Sequence, residues 1–321
     1  MRNTKNRLRP SGAAALLLVL ALALGACAAP AEKTQLEKTA AYLVQTVTQP
    51  SCGSIGGEWA VIGLARSGCA VKAGYFDGYY DRLCEHLRAC GGVLDERKNT
   101  EYSRVILALT AIGKDPSDAA GYDLLLPLAD YDHTLSQGLN GPIWALIALD
   151  AGGYELPQTV SGTQASRERY LEAILTAQTE SGAWGLAAGS EDVDMTAMAL
   201  QALAKYTGEA GVDAAIARAL DWLSAAQRPN GCYVSYGSEN SESAAQVLTA
   251  LCELGIPVTD ERFVKNGASL VDVLERFALE DGSFRHTMDG ESNLMATEQC
   301  MYALADAARA ARGESSLYRM R

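Results

Sequence analysis

The stretch Gln178-Thr-Glu-Ser-Gly182-Ala-Trp184 decides how the chain reads, because two later stretches repeat it. Gln227-Arg-Pro-Asn-Gly231-Cys-Tyr233 keeps the glutamine, the glycine and an aromatic at the same spacing. Ala278-Leu-Glu-Asp-Gly282-Ser-Phe284 keeps the glycine and the aromatic. About ten residues after each aromatic comes an Ala/Leu-rich run: Thr196 to Leu203, Ala244 to Leu251, and Thr297 to Leu304. A unit of this length that recurs is one supersecondary element stacked on its own copies.

Looser copies lie upstream. Gln49 to Ile55 keeps the pattern with an aliphatic in the aromatic's place, and Gly91 and Gly138 separate further helical segments. The series Gly53, Gly91, Gly138, Gly182, Gly231 and Gly282 has steps of 38, 47, 44, 49 and 51 residues, room for two helices and two turns each. The periodicity predicts Glu37–Gln49 paired with Trp59–Ala65, Tyr80–Ala89 with Val105–Ile112, and Leu124–Tyr131 with Ile143–Leu149. It continues with Arg167–Gln178 and Met195–Leu203, Ala217–Gln227 and Ala244–Leu254, and Leu270–Leu279 and Ala296–Ala307. First helices carry charge on one side, and second helices are apolar nearly all round. That contrast predicts an all-α double ring, an (α/α)6 toroid with six inner and six outer helices. The last unit is as apolar as the middle ones, which favours a closed ring over an open solenoid with polar caps. The motif reads as structural: the glycine in a left-handed conformation capping the first helix, the aromatic folded over its end, the glutamine bonding freed backbone groups.

Arg2, Lys5, Arg7 and Arg9 precede an apolar run from Ala13 to Leu24. A basic head and a short apolar middle make an export signal, too short to span a bilayer. The ending Leu24-Gly25-Ala26-Cys27 resembles the lipobox of bacterial lipoproteins, which implies diacylation of Cys27 and a place on the outer face of the cell membrane. The expected organisation is signal peptide 1–26, tether 27–34, toroid 35–311 and tail 312–321. Removing the four N-terminal cations takes the formal charge from −12 to −16, an acidic body that repels nucleic acid. Four of the seven later cysteines, Cys52, Cys69, Cys84 and Cys90, crowd together, and a disulfide among them suits an exported chain. Cys252 and Cys300 sit in Ala/Leu runs and read as small buried hydrophobes.

The turn motif followed by Asp192-Val-Asp194-Met-Thr196-Ala resembles the repeats of squalene cyclases and protein prenyltransferases. With Ser241-Glu242-Ser243-Ala-Ala-Gln246 and Met295-Ala-Thr297-Glu298-Gln299 it also resembles the helical domain of transcobalamin-like proteins. All three families imply the toroid. Class II terpene cyclases protonate an alkene with Asp-x-Asp-Asp, whereas Met195 takes the last place here. Prenyltransferases hold zinc with Asp, Cys and His, and no such set is spaced around His86, His133 or His286. The transcobalamin resemblance implies a non-catalytic binder of a small ligand, a corrinoid among the candidates, or of a surface partner.

Inner-helix starts and the loops before them should line one mouth of such a ring. The candidate ligand-binding residues are Asp192, Asp194, Glu242, Glu298, Trp184, Tyr233, Tyr236, Phe284 and His286. Carboxylates at helix starts also satisfy free N–H groups and the helix dipole, a purely structural role. The alternative reading is an enzyme of the terpene cyclase or carbohydrate-active toroid class with Asp194 as proton donor. No cofactor or metal is expected beyond the corrinoid ligand.

Overall fold

Side-chain caps set where the inner helices of the second half begin. Asp192 accepts from the Met195 N–H, Asn240 from Ser243 and Asn293 from Ala296. In the computed structural model, which describes residues 33–186 and 190–321, the helices follow in six pairs. They are α1 (Gln35–Thr46) with α2 (Trp59–Ser67), α3 (Tyr75–Ala89) with α4 (Asn99–Ala111), and α5 (Tyr131–Leu135) with α6 (Asn140–Ala151). They continue as α7 (Arg167–Thr176) with α8 (Val193–Leu203), α9 (Val212–Ala226) with α10 (Ser241–Glu253), and α11 (Leu270–Glu275) with α12 (Leu294–Ala311). The even-numbered helices form the inner ring. Each packs on the next, and α12 packs back on α2. The fold is the expected all-α (α/α)6 toroid. Every residue of α10 is buried, as a helix walled in on all sides must be.

Closure has its own chemistry. Met301 of α12 joins an apolar cluster with Ala40, Leu43, Ala60 and Leu64 of the first pair. A Cβ on Gly63 would lie 3.0 Å from the Met301 Cγ, so a glycine allows that close approach. Glu298 Oε1 accepts the Gly56 N–H at 2.8 Å, and the Tyr42 and Ser292 hydroxyls meet at 3.1 Å.

The repeated turn is built much as its residues suggest. Gln178 Nε2 donates to the carbonyls of Gly182 and Ala215, both at 2.8 Å, and Gln227 Nε2 to those of Gly231 and Phe263. Trp184 Nε1 reaches back to the Ile174 carbonyl at 2.7 Å. The glycine's place is the correction. Gly182 takes φ +95°, but it closes a four-residue turn to the Thr179 carbonyl after the helix has ended, rather than capping the helix. Its second requirement is contact: a Cβ there would stand 2.7 Å from Arg218 Cβ on the next outer helix.

Three other expectations need amending, and one element was not anticipated. The third outer helix does not occupy Leu124–Tyr131, because Pro127 sits in a short 3-10 turn and Asp130 starts the helix instead. Residues 312–321 are no free tail: Leu317 and Tyr318 are buried at the C-terminal ends of the inner helices, where the Met320 N–H reaches the Ala151 carbonyl. A hairpin, β1 (Tyr233–Ser235) and β2 (Ser238–Asn240), precedes α10. Cys52, Cys69, Cys84 and Cys90 are all free thiols, spread over three separate places around α2 and α3. Cys252 and Cys300 are buried within α10 and α12. The expected signal peptide, Cys27 and nearly all of the expected tether lie outside the described residues.

Candidate functional site

Each inner helix of the second half presents positions two and six beyond its cap to the same space. From the caps Asp192, Asn240 and Asn293 those positions are Asp194 and Met198, Glu242 and Gln246, Met295 and Gln299, and all six line one cavity. Residues four apart share a helix face, so parallel helices with aligned caps build one wall. The first half adds Trp59 from α2, Thr100, Glu101 and Arg104 from α4, and Asn140 and Trp144 from α6. The cavity measures about 620 Å³, within the range that holds small ligands.

Its floor is aromatic. Trp59 stands 5.2 Å from Trp144 and 5.6 Å from Tyr302, centroid to centroid. Amides knit the floor beside them. Gln201 Nε2 donates to Gln246, whose own amide donates to Gln299 Oε1 at 3.1 Å and the Tyr302 hydroxyl at 2.7 Å.

Three carboxylates reach the cavity, each held differently. Glu101 and Arg104 pair on one turn of α4, and Arg104 Nε also bonds the buried Glu58 at 2.9 Å. Tyr79 and the Gly53 N–H bind Glu58 in turn, so this buried charge is paired on every side. Glu242 grips His286, with Nδ1 at 2.9 and 2.8 Å from its two oxygens. Asp194 leaves Oδ1 buried with no partner. Burial foremost pushes its carboxyl up to about 6, the Asp192 and Glu242 charges add to this, and the Ser243 and Ser235 hydroxyls oppose it.

The anticipated residues divide. Asp194, Glu242, Tyr236 and His286 share the cavity. Tyr236 stands at the tip of the β1–β2 hairpin, 82% exposed and with φ +48°. Asp192 is the cap of α8 and accepts from the Ser235 hydroxyl, one step back from the cavity. Trp184, Tyr233 and Phe284 are not on the rim: all three are wholly buried between the rings. Glu298 is one position out of register with Gln299 and turns into the α12–α2 seam, where burial, with the Glu58 charge, pushes it up to about 8. Sequence reasoning missed Trp59, Glu101, Arg104, Asn140, Trp144, Gln246, Gln299 and Tyr302. Counting from the helix caps would have found Gln246 and Gln299. Nothing local marks the first-half residues, whose helices lack such caps. Among the described residues no cluster of three or more His, Cys, Asp or Glu is placed to hold a metal.

No family profile and no curated protein matches the sequence. Solved structures do. The ent-copalyl diphosphate synthase from Streptomyces platensis superposes with a TM-score of 0.50 at 20% identity, over 78% of this chain and 50% of that one. The present chain thus spans half the length of that synthase. The unsaturated glucuronyl hydrolase from Bacillus sp. GL1, responsible for the degradation of glycosaminoglycan, gives a TM-score of 0.56 at 15% identity over 89% and 97% of the two chains. The type II terpene cyclase MstE from Scytonema gives 0.55 at 16%, over 86% and 98%. At such identities the likeness defines the class of fold, the α/α toroid of terpene cyclases and glucuronyl hydrolases, and nothing finer.

Proposed function

We propose that the protein is an exported, membrane-anchored binding protein whose toroid mouth takes a small hydroxyl-rich molecule of the carbohydrate class. The lining of the cavity carries this reading: an aromatic floor under a wall of primary amides, hydroxyls and carboxylates. A sugar ring offers apolar C–H faces to indoles and hydroxyls to planar amides and acids. A polyprenyl chain would leave the same amides and acids desolvated without partners, at a cost of roughly 1–3 kcal/mol each. Charge narrows the class further. Arg104 is consumed by Glu58 and Glu101, so Lys98 is the one uncommitted arginine or lysine among the described lining residues. Against it stand Glu242 and, above about pH 6, Asp194, which favours neutral or amino sugars over acidic ones. The anchor at Cys27 is supported by the lipobox-like ending alone, and a corrinoid ligand by the resemblance alone.

The test is direct binding of the purified chain to an array of neutral hexose, pentose and N-acetylhexosamine oligomers of two to four units, with cobalamin alongside. Binding to a sugar class, lost in Trp59→Ala and weakened in Gln299→Ala, is the expected result. No binding across the array overturns the reading, and binding of cobalamin instead would reinstate the corrinoid.

A further inference from the structure

Glu242 and His286 are more than lining. An ionised carboxylate only accepts, so the His286 nitrogen that faces both Glu242 oxygens, Nδ1, carries its proton. In the neutral ring the lone pair is then fixed on Nε2, which has no partner among the described residues, in a side chain 45% exposed at the cavity. The loop bearing His286 is itself tied to the start of α10: the Ser241 N–H donates to the His286 carbonyl at 3.0 Å and the Ser241 hydroxyl to the Arg285 carbonyl at 2.8 Å. The imidazole is held in one tautomer and one place. In the same cavity Asp194 offers a buried oxygen without a partner, and its neutral form persists toward pH 6. One oriented acceptor and one proton-bearing acid in a single cavity are the two parts that acid–base catalysis needs.

We propose that this cavity hydrolyses a glycosidic bond of the sugar it binds, with His286 as general base, Glu242 as its positioning residue and Asp194 as general acid. The inference rests on the carbohydrate reading above. In the step, His286 Nε2 takes a proton from a water molecule while that water's oxygen bonds to the anomeric carbon. The carbon–oxygen bond to the leaving sugar breaks, its electron pair stays on the leaving oxygen, and that oxygen takes the proton from Asp194. Attack from the face opposite the leaving group inverts the anomeric configuration. Proton exchange with solvent returns His286 to neutral and Asp194 to its acid form.

The experiment uses the purified chain with the oligosaccharides that bind in the array and with 4-nitrophenyl glycosides of the same sugars, products read by proton NMR. Expected is turnover with the inverted anomer formed first. His286→Gln, which keeps a donor for Glu242, and Asp194→Asn each lower kcat about a hundredfold or more, while sugar affinity stays within about threefold. Added imidazole restores turnover to His286→Ala, which a structural role alone would not permit. Glu242→Gln lowers kcat about tenfold with little change in KM. Sugar binding without turnover overturns the inference and leaves the binding reading intact, whereas no sugar binding removes both. A retained anomer, or full activity in His286→Gln, also overturns it.

Discussion

Asp194 and Glu298 are both acids with one buried, unpartnered oxygen, yet they answer to different surroundings. Asp194 faces the cavity and Glu298 faces a seam, because the register of an α-helix separates adjacent positions by about 100°. The Asp194 shift makes a stability prediction. Its folded value of about 6 lies above the ordinary carboxyl value, so the folded chain holds the proton longer than the unfolded one. Below about pH 4 both states are protonated and the site costs nothing. As pH rises through 4 to 6 the unfolded chain ionises first, and stability falls by roughly 3 kcal/mol. Asp194→Asn cannot ionise, so its unfolding midpoint should match that of the native chain at pH 4 and exceed it at pH 8. Equal midpoints at both pH values would mean that Asp194 is solvated like a surface acid. Two acids of this site, Asp194 and Glu242, were legible in the sequence, since each sits at the start of an Ala-rich helix, whereas Glu101 was not. Nor was the partition of the acids: Glu298 lies beside Gln299, and only the count from Asn293 turns one toward the cavity and the other away.

At the scale of elements, the turn motif joins neighbouring units as much as it ends a helix. Gly182, Gly231 and Gly282 each abut the outer helix of the following unit, at Arg218, Val273 and Lys38 respectively. The last of these contacts returns to α1, so one local pattern both spaces the hairpins and closes the ring. Gly182→Ala would put a methyl 2.7 Å from Arg218 Cβ and 2.8 Å from its carbonyl oxygen, on a backbone at φ +95°. Overpacking and left-handed strain together should cost about 3 kcal/mol. The midpoint of urea unfolding should drop accordingly, and unchanged stability would show that α9 can move aside. This also explains why the motif pointed reliably to fold and misled about the site. Trp184, Tyr233 and Phe284 recur because they fill the space between the rings, and a residue used to pack every unit is not free to line a mouth. The β1–β2 hairpin, by contrast, departs from the repeat. It sends Ser235, Tyr236, Ser238 and Asn240 to the cavity from the segment between the turn motif and α10.

Across the whole molecule, the two ends of the inner ring are finished in opposite ways. At the helix N-termini lies the open cavity. At the C-termini residues 315–320 fill the bore: Glu253 accepts from the Ser316 hydroxyl and the Tyr318 N–H, Asp306 from the Leu317 N–H, and Arg66 donates to the Leu317 and Ser316 carbonyls. A ring plugged at one end holds its ligand against a floor, so the site depends on the annulus staying shut. The seam where α12 meets α2 is the place to test that. Glu298 Oε1 receives the Gly56 N–H there, while Oε2 is buried with no partner. Burial first, and the Glu58 charge second, raise this carboxyl from its ordinary value of 4.5 to about 8. The Glu298 contribution to stability should therefore be greatest below about pH 4.5, decline as pH climbs toward 8, and level off above it. Glu298→Gln keeps an acceptor for Gly56 and removes the ionisation, so it should abolish that slope and stabilise the chain above pH 8. Glu298→Ala removes the acceptor as well and leaves a buried N–H unsatisfied, a loss of about 1–3 kcal/mol at every pH. Amide exchange at Gly56 separates the two variants from a general loosening: it should quicken in the alanine variant and hold steady in the glutamine one. If Gly56 exchanges equally fast in all three proteins, the seam is open in solution, and the cavity it helps to enclose is not a stable feature of the chain.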